Sequence, residues 1–235
     1  MPITTVMFDL DGTLLPMDQD EFLRSYLGNL SVYMAPHGYE PKKLVDAIWK
    51  GTGAMIANDG SKTNEEAFWR VFCSLYGEEA KGDEPRFDRF YRTDFEKVRQ
   101  SCGFNDQARR VIDLVRSKGL RCILATNPIF PAIATRNRIR WAGLEPEDFE
   151  LYTTYENSRF CKPNPDYYRE IFEKAALKPE ECLMVGNDVG EDMIASRLGC
   201  EVFLLTDCII NRKDEDISQY PNGGFAELMK FIERM

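Results

Sequence analysis

The hydrophobic pattern begins with an apolar run at 3–8 that stops at Asp9, with Gly12 just beyond it, which predicts a short buried strand running into a turn. From 18 to 100 the apolar positions recur at helical spacing with hardly any strand signal, and helices are predicted over 19–34, 41–55, 64–76 and 85–99. Thr63 with Glu66 makes a capping box for the third of these, and the polar stretch 76–83 reads as a hinge or turn. The rhythm changes at Asn105. Helices predicted at 107–118, 131–141, 165–176, 191–198 and 225–234 alternate with strands at 120–125, 151–154, 182–185 and 201–205. Apolar strands alternating with amphipathic helices predict an α/β fold, a doubly wound parallel sheet covered on both faces. The expected organisation is an α/β core made of 1–17 and 101–235, with an all-helical cap, 18–100, inserted after the first strand.

Composition narrows the partners. With 235 residues and 43% hydrophobic content the chain has enough apolar material for a packed interior. The net charge of −9, from 30 basic and 39 acidic residues with no basic stripe, argues against nucleic acid. Seven scattered cysteines without a CxxC pair suit a reducing compartment, and no signal peptide or membrane span is read, so a cytoplasmic location is expected.

In parallel sheets ligands bind at the carboxyl ends of the strands, and the polar residues there carry the chemistry. Asp9 and Asp11, two apart in extended chain, can face one pocket, while Gly12 permits the turn and Thr13 adds a hydroxyl. Two crowded carboxylates call for a proton or a cation; the plainer reading is a pair that caps the next helix. Thr126 and Asn127 end another strand ahead of the helix starting near Pro131. There a free helix N-terminus favours an oxyanion such as phosphate, unless the two residues simply cap that helix. Lys162 stands in a stiff loop, Lys162-Pro163-Asn164-Pro165, able to hold its ammonium near carboxylates and phosphate. Asn187 and Asp188 end a fourth strand, and Asp192 follows one helical turn after Asp188, so that both carboxylates can point to one spot. Such a set of hard oxygen donors suits Mg²⁺.

Taken in order, Asp9-Leu10-Asp11-Gly12-Thr13, Thr126, Lys162 with Pro163, and Gly186-Asn187-Asp188 with Asp192 resemble the four motifs of the haloacid dehalogenase superfamily of aspartate-nucleophile hydrolases. The resemblance implies a Rossmann-like core with a helical cap and a phosphatase acting on a small phosphorylated metabolite. It implies Asp9 as nucleophile, Asp11 as general acid/base, Lys162 as charge partner, and phosphate contacts from Gly12, Thr13, Thr126, Asn127 and Lys162. It also implies Mg²⁺ held by the Asp9 carboxylate, the Asp11 carbonyl and an acidic residue of the fourth motif, with Asp192 orienting from behind. Many relatives carry Asp directly after the fourth motif's glycine. This chain has Asn187 and then Asp188, and either is a candidate ligand, the carboxylate being favoured.

Two rivals share these residues: a sugar-phosphate mutase of the same superfamily, and a non-catalytic binding protein on the same fold. No Ser-His-Asp arrangement competes, since the one histidine, His37, lies in a turn beside Pro36 and Gly38. Trp49, Phe68, Trp69 and Phe72 recur at helical spacing and are expected to form a small core of the insert. Lys50-Gly51-Thr52-Gly53 reads as a specificity loop or a helix end.

Overall fold

A computed structural model of the chain describes residues 2–235. Its centre is a six-stranded parallel sheet built from β1 (Thr5–Phe8), β2 (Arg121–Leu124), β3 (Leu151–Tyr152), β4 (Cys182–Gly186), β5 (Glu201–Leu205) and β6 (Asn222–Gly223), in the order β3-β2-β1-β4-β5-β6. β1 is flanked on both sides, with Thr5 in register with Arg121 of β2 and with Cys182 of β4. Alternation along β1 sends Val6 and Phe8 into one apolar cluster, with Val111 and Val115 of α5 (Gln107–Ser117) and Leu228 of α8 (Phe225–Glu233). Met7 goes to the opposite cluster, with Tyr168 and Ile171 of α7 (Pro165–Lys174).

The stretch after β1 folds into α1 (Gln19–Met34), α2 (Pro41–Ile56), α3 (Asn64–Tyr76) and α4 (Glu84–Arg92). The capping box of Thr63 and Glu66 is present at α3. Main-chain bonds tie the start of α3 to the strand-end loops, Asn64 donating to Ser158 O (2.8 Å) and Glu65 to Tyr155 O (2.9 Å). One apolar cluster runs without a break from Val6 and Phe8 into Phe22, Tyr26, Phe90 and Phe95 of the helical segment. Among the described residues no helix is long and apolar enough to cross a membrane.

Four expectations change. The helix foreseen over 85–99 breaks at Thr93, whose hydroxyl bonds back to Arg89 O (2.9 Å); α4 ends there and Asp94–Ser101 winds as a 3₁₀ helix. The segment foreseen as a helix over 191–198 is a 3₁₀ turn, Met193–Leu198, because Asp192 just before it is turned inward by its buried partners. Lys50-Gly51-Thr52-Gly53 is neither a loop nor a helix end but part of α2, where Gly51 lets α3 approach: a Cβ would lie 2.5 Å from Phe68 Cδ2. The 76–83 hinge is a tight 3₁₀ helix, Glu78–Asp83. β6 was not anticipated, since two residues paired to β5 through main-chain bonds leave no hydrophobic period.

Candidate active site

The chain leaves β1 toward β2 and β3 on one side and returns to β4, β5 and β6 on the other, so the strand order reverses between β1 and β4. At such a reversal the loops diverge and leave a crevice at the carboxyl ends of the two strands. Asp9 follows β1 at that point and donates its N–H to Val185 O of β4 (2.9 Å), while Asn187 and Asp188 follow β4. Gly12 turns the chain away with φ +85°, and a Cβ there would sit 2.4 Å from Asn187 Nδ2, so both the conformation and the space require glycine. The Thr13 hydroxyl lies 3.1 Å from Asp9 Oδ2 and 3.0 Å from Asn187 Oδ1, sharing its proton between them.

Lys162 is buried in the same crevice. Its Nζ donates to Asp9 Oδ1 (2.9 Å) and Asp192 Oδ1 (2.6 Å), and Asp192 Oδ2 in turn accepts the Asp188 N–H (2.9 Å). Burial works against the ammonium, but Asp192 and then Asp9 outweigh it and hold Lys162 well above the usual lysine range. Gly186 makes room for this arrangement, since a Cβ would lie 2.1 Å from Asp192 Oδ2. Asp188 and Asp192, read from the sequence as converging, part company. Asp192 faces Lys162, whereas Asp188 Oδ1 accepts from the N–H groups of Gly190 (2.8 Å) and Glu191 (3.0 Å) and its Oδ2 pairs with Arg212 (2.7 Å).

Asp11 brings in a residue the sequence reading missed. Its Oδ2 accepts from Arg138 Nη1, and Arg138 is wholly buried on α6 (Ala132–Trp141) with its guanidinium 4.4 Å over the Phe130 ring. The clue was available: Arg138 stands four residues after buried Ala134 and four before buried Ala142, on the inward stripe of its helix. Burial lifts the Asp11 carboxyl above its ordinary value, with Arg138 opposing the rise and Asp9 adding to it. Asp11 Oδ1 is buried and, among the described residues, has no hydrogen-bond partner.

The expected oxyanion site at the α6 N-terminus is not open. The Ala132 N–H is taken by both carboxylate oxygens of Glu156 (2.8 and 3.0 Å), which supplies the anion that the helix end attracts. Thr126 and Asn127 therefore do not cap α6. Thr126 is buried at the crevice, its carbonyl accepting from Tyr167 Oη (2.9 Å); Asn127 accepts the Lys162 N–H (3.2 Å) and donates to Glu191 Oε2 (3.1 Å). Burial raises Glu191 above the usual carboxylate range, with Lys162 pulling it back.

A cavity of about 140 Å³ gathers Asp9, Asp11, Thr126, Asn127, Asn187, Asp188 and Asp192, together with Met17, Gln19 and Phe22 from the start of the helical segment. Lys162 reaches it through Asp9 and Asp192. Among the described residues no three His, Cys, Asp or Glu side chains close up as a ready-made metal cage. The donor set is nevertheless all hard oxygen, and it includes one buried carboxylate oxygen lacking a partner. That fits a cation such as Mg²⁺, which keeps most of its water and takes only one or two carboxylates from the protein.

The chain matches the model of haloacid dehalogenase-like hydrolases over residues 3–198. Pyrophosphatase PpaX of Bacillus cereus (strain G9842) is 26% identical over 188 residues, covering 80% of this chain and 76% of its own. A HAD phosphatase from Thermococcus onnurineus superposes with a TM-score of 0.59 at 17% identity over 98% of both chains. A 2-haloacid dehalogenase from Pseudomonas syringae pv. Tomato DC3000 superposes with a TM-score of 0.64 at 18% identity over 99% of both. The structural likenesses concern the fold, which serves more than one chemistry. The family match spans most of the sequence, and by it this chain belongs to the haloacid dehalogenase-like hydrolases.

Proposed function

We propose that the protein is a Mg²⁺-dependent phosphatase that hydrolyses a small phosphomonoester through an aspartyl-phosphate on Asp9. One arrangement carries this reading: Asp9 is aligned 2.9 Å from a buried lysine ammonium, and two residues on stands a second carboxyl, Asp11, lifted by burial. The first is an oriented nucleophile beside a fixed positive charge; the second is a group suited to give and take a proton.

Asp9 attacks phosphorus in line with the leaving oxygen, and the P–O bond to the alcohol breaks as the Asp9–phosphorus bond forms. Lys162 offsets charge on the equatorial oxygens, the electrostatic work that dominates phosphoryl transfer, and Thr126 faces the same group. Arg138 holds Asp11 Oδ2, so Oδ1 is the oxygen free to protonate the departing alkoxide and then to accept a proton from the water that cleaves the acyl phosphate. The Asp9 carboxylate, the Asp11 carbonyl and Asp188 would hold Mg²⁺, which when bound supplies positive charge to the phosphoryl oxygens. Asp188 is favoured over Asn187 because a carboxylate suits Mg²⁺ better than an amide does, and taking up the ion would draw Asp188 Oδ2 away from Arg212. Residues 18–100 act in this reading as the cap over the crevice. PpaX is named a pyrophosphatase and the Thermococcus protein a phosphatase, which agrees with phosphoryl chemistry. Asp11 argues the same way, since a departing halide needs no proton.

The test is phosphate release over a panel of metabolite phosphates with and without Mg²⁺. Asp9→Asn is expected to lower turnover by about 10³ or more. Wild-type turnover in that variant would remove the nucleophile from the account. Conversion of a hexose phosphate to its isomer without phosphate release would favour the mutase.

A further inference from the structure

Beyond the carboxylate pocket lies a second cavity of about 280 Å³, which shares Leu23, Asn127, Ile129, Phe130 and Glu191 with the first, so the two adjoin. Its wall is chiefly aromatic: Tyr26, Phe68, Trp69, Phe130 and Tyr155 line it, with Trp49 on its rim. Of the four aromatics expected to form a small core of the insert, Phe68, Trp69 and Phe72 do pack together and are buried, and Phe68 and Trp69 also face this cavity, whereas Trp49 is 49% exposed at its rim.

We propose that this cavity seats the alcohol half of the phosphomonoester, and that the alcohol is an apolar one bearing one or two aromatic rings, poor in hydroxyls and without a second anionic group. The inference rests on the phosphatase reading of the adjoining pocket.

Size, polarity and charge each point this way. An apolar cavity of roughly 150 Å³ takes benzene, so a space of about 280 Å³ takes a two-ring group. Several of the few polar atoms in the wall are committed. The Tyr26 and Tyr91 hydroxyls bond each other at 2.7 Å, and Glu191 accepts from Asn127. A sugar would surrender its water to a wall with few partners to return. Glu191 in the lining would repel a carboxylate or a second phosphoryl group, and its charge offsets that of Arg212 in the same wall. Among the described residues one wholly buried donor of the wall lacks a partner. Trp69 is 5% exposed, and among the described residues its indole N–H makes no hydrogen bond of normal geometry, although the Tyr155 hydroxyl is near. A single acceptor on the ring system would satisfy it.

The experiment compares phosphate release by the full chain with Mg²⁺ from primary alkyl esters that share one leaving-group class: ethyl, 2-phenylethyl and 2-(2-naphthyl)ethyl phosphate, 2-phosphoglycolate and glucose 6-phosphate. The expected result is a rise in kcat/KM of at least about tenfold from the ethyl to the arylethyl esters, chiefly through KM, with the glycolate and hexose esters no better than ethyl. Thr52→Trp narrows the cavity from a half-buried position on α2 and is expected to cut the naphthylethyl-to-ethyl ratio of kcat/KM by about tenfold or more. A flat series, a preference for the glycolate or glucose ester, or a ratio unmoved by Thr52→Trp overturns this inference and leaves the phosphatase reading standing. No release from any ester overturns both.

Discussion

Replacing Asp11 with Asn separates the stability role of this carboxylate from its proposed chemistry, because its partner cannot adapt. Arg138 is wholly buried, and a guanidinium does not give up its proton in a protein. Without Asp11 it keeps the Phe130 ring at 4.4 Å, Thr135 Oγ1 at 3.3 Å and Ala134 O at 3.4 Å, none of them charged. Stranding one partner of a buried pair costs about 3–5 kcal/mol, which for a chain of this length is of the order of 10 °C in Tm. Arg138→Met is milder. Asp11 retains 22% side-chain exposure and can take up a proton, so the loss is expected to be smaller than for Asp11→Asn. The double variant removes both charges and should match Arg138→Met alone, giving a coupling of about 3–5 kcal/mol, the whole of the Asp11→Asn effect. The pH dependence has a definite sign. Burial already raises Asp11 and Arg138 opposes the rise, so removing Arg138 lets the folded-state pKa climb further above the unfolded one. The folded state then binds a proton that the unfolded state does not; stability is full at low pH and is lost as pH rises through the folded pKa. The Arg138→Met deficit should therefore be smaller near pH 5 than near pH 8. Urea unfolding followed by tryptophan fluorescence, in chelator so that no cation contributes, measures all four proteins. Additive single effects, or an Asp11→Asn protein as stable as the parent, would refute the reasoning.

Other perturbations probe the same crevice and the core beneath it. Lys162→Met leaves Asp9 and Asp192 buried without their common cation, and denaturant melts should show a loss of about 3–5 kcal/mol together with loss of phosphate release. Gly186→Ala drives a methyl group to 2.1 Å from Asp192 Oδ2; steady-state kinetics should show kcat falling at least about tenfold as Asp192 and Lys162 are displaced. Asp148 accepts from Arg109 (2.6 Å), Arg116 (2.5 Å) and the Glu145 N–H (2.8 Å); burial, which would raise it, is outweighed by these partners, and its carboxyl falls below the ordinary 3.8. A depressed carboxylate adds stability above its unfolded pKa and loses it as pH falls through the folded one. Asp148→Asn should thus cost about 1–2 kcal/mol at pH 7, with thermal melts converging on the parent in strong acid.

The sequence alone determined what depends on near neighbours. Helical periodicity placed α1 and α3 at their observed bounds, the Thr63 capping box is where its residues put it, and the polar residues ending the apolar strands gave the candidate site. These features rest on contacts within a turn or two of chain. What only tertiary structure decided is which of those residues meet and what else joins them. Lys162 reaches Asp9 across 153 positions, and Arg138 reaches Asp11 across 127, because β1 sits between β2 and β4 with β3 beyond β2, and the segments that follow these parallel strands meet at one edge. The same assembly let Glu156 occupy the α6 N-terminus that had looked open to phosphate, and set Phe68 and Trp69 of the insert's core against a cavity. A periodic pattern records which face of an element turns inward, but the partner it finds there is set by strand order and packing between segments far apart in the chain.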